Sequence, residues 1–248
     1  MVRLNSTRRV EDLVLHYAPG VVTVGGRIQS GVIGPGCTNE RYEDCRELAQ
    51  FCIDSKLPLV IDAGALDLVK GLRGYANAHS RSLSRAILTP HHGEAARILT
   101  QLGSPCSRAD IDADPAASAK ELALLTGAVI LLKSAITVCS YLKHDQGSWT
   151  QEILSIPQET PWAGVAGSGD VLAGAVAGIA AVFQARAERR QGNPSISEAE
   201  CATLASLGAW VHAQAAFRAG VGSQGHAHPI QAIDIARALP EIIGELCS

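Results

Sequence analysis

Short runs of β-branched and aliphatic residues alternate along the chain with segments whose apolar residues recur every three or four positions. The runs have the length of strands, and the segments between them have the period of amphipathic helices. This alternation is typical of βαβ units, in which a parallel sheet is buried between helices. The pattern predicts strands at 21–24, 30–34, 57–63, 85–90 and 127–133, separated by helices at 40–55, 64–71, 93–102 and 115–126.

The pattern changes after Lys133. Two alternating segments, "TVCSYLKHD" and "SWTQEILSI", flank Gln146-Gly147, which predicts an antiparallel hairpin at one edge of the sheet. The predicted fold is therefore an α/β fold with three layers, in which a mostly parallel central sheet is flanked by helices. One domain over residues 1–248 is sufficient to explain the pattern.

The C-terminal third of the chain is predicted to be helical. One helix is expected at 168–186 and a second at 195–219, with the loop "RQGNP" (190–194) between them. Ser195 with Glu198 three residues later has the spacing of a capping box at the start of the second helix. A short last element is expected after Asp234.

Composition and charge exclude several classes of function. A net charge of -3 gives no support to nucleic-acid binding or to attachment to an anionic membrane. The seven cysteines are odd in number and contain no C-x-x-C pair, which disfavours a disulfide framework or a zinc site. The N-terminus has no apolar signal region, and the apolar run 171–183 is too short to span a bilayer. We therefore expect a cytoplasmic protein without a membrane partner.

The segment "AGSGD" (166–170) predicts a phosphate site. Gly167 and Gly169 leave backbone amides unobstructed by a Cβ atom, and the free N–H groups of the following helix add positive potential. Ser168 is a possible N-cap or additional donor. Asp170 has two interpretations: a first-turn carboxylate that favours the helix dipole, or a base beside the phosphate. The following helix is apolar on all sides and should be buried, which favours the base.

Five segments resemble motifs of one superfamily. "GSGDVLAG" resembles the glycine-aspartate signature of the ribokinase-like superfamily, and "TPHHGEA" (89–95) is similar to a segment of its ADP/ATP-dependent NAD(P)H-hydrate dehydratase branch. "VIGPG" (32–36), "LLKSAITV" (131–138) and "AIDIARALP" (232–240) resemble further motifs of that branch, in the same order. The resemblance implies a ribokinase-like fold and the repair of hydrated NADH or NADPH. Members phosphorylate the hydrate with ADP or ATP and then eliminate phosphate.

The resemblance also implies roles for single residues. Asp170 would contact the hydrate and act as the base, and Glu94 would help to organise Mg²⁺ through water. Gly36 and His91 would line the hydrate site. The backbone amides of an anion hole would come from Gly167, Ser168 and Gly169, and the adenine nucleotide would be held by Lys133, Ser134, Ala135, Ile136 and Thr137 with Gly169.

Several of these residues have plain structural alternatives. His91 follows Pro90 and is explained equally by the start of a helix, and Glu94 by a first-turn helix carboxylate. Lys133 could be a solvated charge at a strand end. Asp62, which follows a predicted strand as a similar aspartate does in the family, could be the N-cap of the next segment.

The chain also departs from the family pattern. "TPWAGVA" (160–166) replaces a segment that contains glycine and threonine, His92 replaces a proline, and Ser134 replaces a glycine. The chain is predicted to be N-terminally shortened, without the first β-α unit of the family. Two alternatives remain open: a ribokinase-like kinase of a sugar or hydroxymethylpyrimidine, and a catalytically silent nucleotide-binding relative. The missing β-α unit and the altered 160–166 segment motivate the second. A homodimer or homotetramer is expected, since it would cover the exposed sheet edge.

Overall fold

A single six-stranded sheet forms the centre of the computed structural model, which describes residues 1–145, 148–190, 195–221 and 226–247. The spatial order of the strands is their order along the chain. The first four strands are parallel, and the last two are antiparallel to their neighbours. The strands are β1 (Gly31–Ile33), β2 (Leu59–Ile61), β3 (Ala86–Leu88), β4 (Val129–Leu132), β5 (Ile136–Asp145) and β6 (Ser148–Pro157).

Helices cover both faces of this sheet, because successive side chains of a buried strand point to opposite faces. In β2, Leu59 and Ile61 pack into the core formed with the helices at 42–54, 69–78, 92–101 and 115–126, whereas Val60 packs against the helices at 168–187 and 198–220. The predicted three-layer α/β/α fold is therefore confirmed. The helices in the described part of the chain are α1 (Arg8–Tyr17), α2 (Tyr42–Asp54), α3 (Val69–Ala78), α4 (His92–Gln101), α5 (Arg108–Ala113), α6 (Pro115–Thr126), α7 (Ser168–Ala187), α8 (Glu198–Gly220) and α9 (Ala232–Cys247).

The antiparallel hairpin is confirmed at the edge of the sheet. β5 and β6 pair continuously from Ile136 opposite Pro157 to Asp145 opposite Ser148. The predicted turn at Gln146-Gly147 lies outside the described residues, as does the 191–194 part of the predicted 190–194 loop.

The prediction of a strand at 21–24 was wrong. Only Val22 in this segment forms a β-bridge, to Arg3, and the bridge lies outside the six-stranded sheet. Val24 is 69% exposed, so the segment lacks the burial that stabilises a central strand. The sequence pattern also missed α1, and it placed a single helix at 64–71 where a 3-10 helix at Ala63–Leu68 leads into α3.

The predicted start of α8 was displaced by two residues. The N-cap is Ser197, whose Oγ accepts from the Glu200 N–H, while the Glu200 carboxylate accepts from the Ser197 N–H at 2.8 Å. The sequence contains both the Ser195/Glu198 and the Ser197/Glu200 spacing, and the structure uses the second. The element predicted after Asp234 is α9, a helix of 16 residues that is longer than expected.

The helix that follows the glycine loop is buried on one side only. Gly174, Gly178 and Val182 lie on its exposed face with Asp170, which corrects the expectation of burial all round. Its other face packs closely on α8, where a Cβ atom added to Gly208 would lie 2.6 Å from the Val176 side chain. By length and composition α7 is the one described helix that could cross a membrane; a core helix has the same properties.

Candidate active site

A buried ion pair lies at the carboxyl ends of two parallel strands. Asp62 follows β2 directly, and Lys133 follows β4. The Lys133 Nζ donates to the Asp62 Oδ1 at 2.7 Å, and the Asp62 side chain is only 2% exposed. Asp62 precedes a 3-10 helix, but its side chain makes no capping hydrogen bond there. Pairing with Lys133, rather than capping, therefore accounts for this aspartate, and Lys133 is not a free edge charge.

The glycine loop rests against this ion pair. A Cβ atom added to Gly169 would lie 3.2 Å from the Lys133 Nζ and 3.7 Å from the Asp62 Oδ2. Gly167 has a φ of +84°, in the left-handed region that glycine adopts without a steric penalty. The loop and the two strand ends therefore form one site, in which Gly167 supplies the left-handed conformation and Gly169 lies in close contact with the Lys133 ammonium.

Asp170 occupies the first turn of α7 and is exposed to solvent. Partial burial of its carboxyl and the negative charge of Asp62 raise the pKa of Asp170, whereas Lys133 acts in the opposite direction. A raised pKa means that the carboxylate binds a proton more strongly than an ordinary aspartate. A reachable carboxylate with this property can serve as a general base.

The amides of the loop do not all point outwards. The Ser168 N–H donates to the Val165 carbonyl at 3.1 Å and is therefore not free to bind a phosphate. This differs from the prediction that the amides of Gly167, Ser168 and Gly169 all face a phosphate. Gly169 stands in the first turn of α7, where backbone N–H groups have no carbonyl one turn earlier in the helix. The helix start therefore retains donors for an anion.

A buried histidine supports the loop from behind. The Nε2 of His212, in the middle of α8, lies 3.0 Å from the Ser168 carbonyl oxygen and 3.1 Å from its Oγ. Because a carbonyl oxygen only accepts, the contact assigns the imidazole proton to Nε2. An Nε2 that carries a proton cannot accept from the serine, so the Ser168 hydroxyl proton is free for another acceptor. His212 thus holds Ser168 in place. Ser168 is not the N-cap of α7, which was one of the two roles expected for it, because Gly167 occupies that position.

Burial lowers the pKa of His212 to about 4, and the positive charge of Lys133 acts in the same direction, while the bond to Ser168 opposes them. The histidine is therefore neutral at physiological pH. Sequence reasoning missed it, although a single histidine within the apolar run "AWVHAQAA" is a usable signal of a buried polar contact.

This buried histidine predicts a loss of stability in mild acid. The folded pKa of His212, about 4, lies below the ordinary 6.5, so the unfolded chain binds more protons between these values and stability falls as the pH falls through them. Between about pH 8 and about pH 5 the expected loss is about 2 kcal/mol. Urea unfolding at both pH values should show this difference in the wild type and a smaller one in His212→Gln. The matched control is His16→Gln, at an exposed position of α1, which should keep the wild-type difference.

The predicted nucleotide segment surrounds the turn between β4 and β5. Lys133 and Ser134 line a cavity of about 360 Å³ together with His91, His92 and Arg108. The rest of the segment is tied into the hairpin: the Ala135 carbonyl accepts from the Gln158 N–H, Ile136 begins β5, and Thr137 is buried. Lys133 and Ser134 therefore line the cavity, Ala135 and Ile136 are exposed to solvent, and Thr137 is buried beneath them.

His91 and Glu94 form the capping box of α4. The His91 Nδ1 accepts from the Gly93 and Glu94 N–H groups at 3.0 and 3.3 Å, and the Glu94 carboxylate accepts from the His91 N–H at 2.9 Å. The structural alternative for both residues is thus present. The His91 side chain remains 60% exposed, so it is still available to a ligand, whereas that of Glu94 is 12% exposed. Their roles at the hydrate and at Mg²⁺ stay predictions.

The turn after β1 brings Gly36 to the same end of the sheet. The Cys37 N–H donates to the Gly34 carbonyl at 2.8 Å, and Gly36 has a φ of +69°. Gly34 packs so closely on the chain after β2 that a Cβ atom would lie 1.8 Å from the Asp62 carbonyl oxygen. Gly36 is exposed beside this contact. The turn therefore stands next to the Asp62–Lys133 pair, as expected for a wall of the same site.

Comparison with known proteins gives the family. A family model described as NAD(P)H-hydrate dehydratase matches residues 7–235, which is most of the chain. The chain belongs to the NAD(P)H-hydrate dehydratase family. Four of the five family motifs recognised in the sequence lie, in this structure, at the strand ends after β1, β3 and β4 and at the start of α7, and the fifth lies in α9.

Two curated relatives illustrate the similarity to this family. The chain is 32% identical over 238 residues to a bifunctional NAD(P)H-hydrate repair enzyme of Corynebacterium glutamicum, a match that covers 92% of this chain and 40% of that protein. It is 33% identical over 163 residues to the ADP-dependent (S)-NAD(P)H-hydrate dehydratase of Neisseria meningitidis, covering 64% and 44%. The chain thus spans less than half the length of these relatives.

Solved structures share the fold of the dehydratase family. The ADP/ATP-dependent NAD(P)H-hydrate dehydratase of Bacillus subtilis, co-crystallised with ATP and Mg²⁺, superposes with a TM-score of 0.67 at 20% identity, over 98% of this chain and 78% of that one. A ribokinase-like protein of Enterococcus faecalis superposes with a TM-score of 0.60 at 20% identity. At this identity the similarity establishes the fold, which is ribokinase-like.

Proposed function

We propose that this protein repairs hydrated NADH or NADPH, using ADP or ATP to phosphorylate the hydrate and then eliminating phosphate. The observation that carries the proposal is the position of Asp170, which stands exposed at the start of α7 beside the Asp62–Lys133 pair. A base, a cation and helix-start amides within one site are the components that phosphoryl transfer requires. Membership of the dehydratase family supports this reaction over others with the same components.

In the first step, Asp170 accepts the proton of the hydrate hydroxyl, whose oxygen then attacks the terminal phosphorus of the nucleotide. The bond from that phosphorus to the bridging oxygen breaks, and the shortened nucleotide leaves. The Gly169 N–H is a donor toward the negative charge that develops on the transferring group. Lys133 supplies a positive charge beside this donor, and Asp62 fixes the position of Lys133.

In the second step, the carbon–oxygen bond of the phosphorylated ring breaks and inorganic phosphate leaves. The neighbouring ring carbon loses a proton, which the departing phosphate takes up in the balance, so the double bond of the dihydronicotinamide is restored. The sum of the two steps is removal of one water from the ring at the expense of one phosphoanhydride bond. Phosphorylation is useful because phosphate is a far better leaving group than hydroxide.

The donor groups of the site fit Mg²⁺ that arrives with the nucleotide. The described residues contain no cluster of three His, Cys, Asp or Glu side chains that could hold a metal ion alone. Mg²⁺ binds through phosphate oxygens, waters and one or two carboxylates, and the negative charge of Asp62 lies close enough to raise the pKa of Asp170. When bound, the ion neutralises charge on the phosphates. Glu94, inside its capping box, would act on it only through water.

The two ligands would occupy opposite sides of the glycine loop. We place the nucleotide at Lys133 and Ser134, where the cavity beside α4 opens, and the hydrate between Asp170 and the turn that carries Gly36. His91 lines the cavity assigned to the nucleotide, so it would contact the hydrate only where the two ligands meet. The unbroken sheet supports a single domain, so both ligands would be bound by one folded unit.

The proposal is tested by following the near-ultraviolet absorbance of the reduced nicotinamide. Purified protein is mixed with NADH hydrate or NADPH hydrate, Mg²⁺ and either ADP or ATP, with nucleotide omitted as a control. We expect absorbance to be recovered only with nucleotide, with one phosphate released for each ring repaired. Repair that needs no nucleotide would contradict the proposal.

Two other outcomes would favour a different function for the protein. Nucleotide consumption with a sugar or hydroxymethylpyrimidine but not with either hydrate would identify a kinase of another substrate. Nucleotide binding, measured by calorimetry, without turnover of any of these compounds would identify a silent relative. The altered segment 160–166, which precedes the glycine loop, is the part of the chain that would then explain the loss.

A further inference from the structure

Two cysteines lie in sulfur contact beside the turn that carries Gly36. The Sγ atoms of Cys37 and Cys45 are 3.0 Å apart, and both residues are free thiols of intermediate exposure. An S–S bond is about 2.05 Å long, so a movement of about 1 Å would join them. Such contact distinguishes this pair from a lone cysteine, whose conversion to a disulfide requires a second molecule.

The fold fixes the two thiols in this position. Cys37 is the last residue of the turn from Gly34, whose carbonyl accepts the Cys37 N–H at 2.8 Å. Cys45 lies in the first turns of α2, eight residues further along. A Cβ atom added to Gly64 would lie 2.4 Å from the Cys37 carbonyl oxygen, so the turn is also packed against the segment after β2. Backbone contacts therefore hold the thiols together before any bond forms.

The remaining cysteines of the described chain lack these properties. Burial raises the pKa of Cys52 and of Cys201 to about 12, and that of Cys139 to about 11, so these thiols stay protonated and shielded. Cys106 is partly exposed and Cys247 is exposed, which makes them internal controls for oxidation without a neighbouring thiol. Selective oxidation therefore points to Cys37 and Cys45.

We propose that Cys37 and Cys45 form a reversible disulfide that pins the Gly34–Cys37 turn to α2 and so regulates the adjacent site. The oxidant is a peroxide. The Cys37 sulfur attacks one peroxide oxygen, the O–O bond breaks, and a sulfenic acid and one water form. The Cys45 sulfur then attacks the sulfenic sulfur, and its proton leaves with the displaced hydroxide as a second water. In sum, two thiols and hydrogen peroxide give one disulfide and two waters.

The order of the two sulfurs follows from their surroundings. Burial and the contact with Cys37 raise the pKa of Cys45 to about 12, so Cys45 is a poor first nucleophile, and in the second step the hydroxide that its attack displaces takes up its proton. The bond is reversible because a small thiol can attack it and restore both cysteines. In a reducing compartment such bonds are transient and regulatory, which agrees with the compartment expected from the cysteine count.

The chemical test does not depend on enzyme activity. Native protein is treated with hydrogen peroxide, free thiols are alkylated, and unreduced peptides are identified by mass spectrometry. We expect a linked Cys37–Cys45 peptide that has lost two hydrogens, while Cys106 and Cys247 remain alkylated. In Cys45→Ala, the Cys37 sulfenic acid should persist and be trapped by a cyclic diketone, whereas the wild type should trap at least about fivefold less. Full alkylation of Cys37 and Cys45 after peroxide, or equal trapping in both proteins, would overturn the proposal.

The regulatory consequence rests on the proposed function and is measured separately. Oxidised wild-type protein should show a raised KM for the hydrate with unchanged nucleotide affinity, and dithiothreitol should reverse the change. Cys45→Ala should show no change of KM on peroxide treatment, and Cys106→Ser should respond as the wild type does. A linked form with an unchanged KM would overturn the regulation but not the disulfide. A linked form of a protein whose reduced state is inactive would instead contradict the proposed function.

Discussion

Asp170→Asn should lower turnover of the hydrate by at least about 10²-fold, because an amide cannot accept the proton of the attacking hydroxyl. The change keeps the size and polarity of the side chain at the start of α7. It removes one negative charge beside Asp62, so the affinity for nucleotide titrated without Mg²⁺ should stay the same or rise. The expected signature is a fall in kcat without a loss of binding, measured by initial rates and by nucleotide titration.

A matched aspartate elsewhere provides the control. Asp114 is the N-cap of α6, where its side chain accepts from the Ala117 N–H at 2.8 Å. Asparagine is an equally good N-cap, so Asp114→Asn should retain both stability and turnover. Near-normal turnover in Asp170→Asn, with Asp114→Asn also active, would show that another group takes the proton.

Gly34→Ala should lower the free energy of unfolding by roughly 3–5 kcal/mol. Gly34 has a φ of +123°, and a Cβ atom there would lie 1.8 Å from the Asp62 carbonyl oxygen. The backbone of Asp62 would have to move, and its ion pair with Lys133 would be displaced with it. We therefore expect a loss of activity in the fraction that still folds, measured beside denaturant unfolding.

Two other glycines separate conformation from contact. Gly36 has a φ of +69° with open space around it. Gly36→Ala should therefore lower the free energy of unfolding by only about 1–2 kcal/mol, which is the penalty for placing a residue with a Cβ atom in the left-handed conformation. Gly20 has neither a positive φ nor a neighbour within 4 Å, so Gly20→Ala should change stability by less than about 0.5 kcal/mol. Equal losses of unfolding free energy in Gly34→Ala and Gly36→Ala would show that the close approach of Gly34 to Asp62 is unimportant.

The layered fold could be predicted because each central strand is a continuous apolar run with a helical period on either side. Such runs reflect burial on both faces, which depends little on distant detail. The 21–24 segment has the same composition but no partner strand within the sheet, and composition alone does not reveal a missing partner. The two capping spacings before α8 were equally good locally, and packing selected between them.

The candidate site was predictable where chemistry is encoded in a contiguous motif. "GSGD" carries both the glycine at positive φ and the exposed aspartate, and the structure places both at the start of α7. The sequence left the role of Asp62 open between a strand-end aspartate of the family and an N-cap, because its partner Lys133 lies 71 residues away. His212 was missed because its contact with Ser168 depends on how α8 crosses α7.

The sheet grows by one neighbouring strand at a time, because strand order in space equals strand order in the chain. During synthesis, each new strand can therefore add to an edge that already exists, and no early strand must wait for a distant one. The contacts of the candidate site form later during synthesis than the first strands of the sheet do. Asp62 meets Lys133 only after β4 is made, and Ser168 meets His212 only after most of α8 is made. A nascent chain would thus acquire most of its secondary structure well before it could hold a nucleotide, and bound ligand would stabilise only the finished protein.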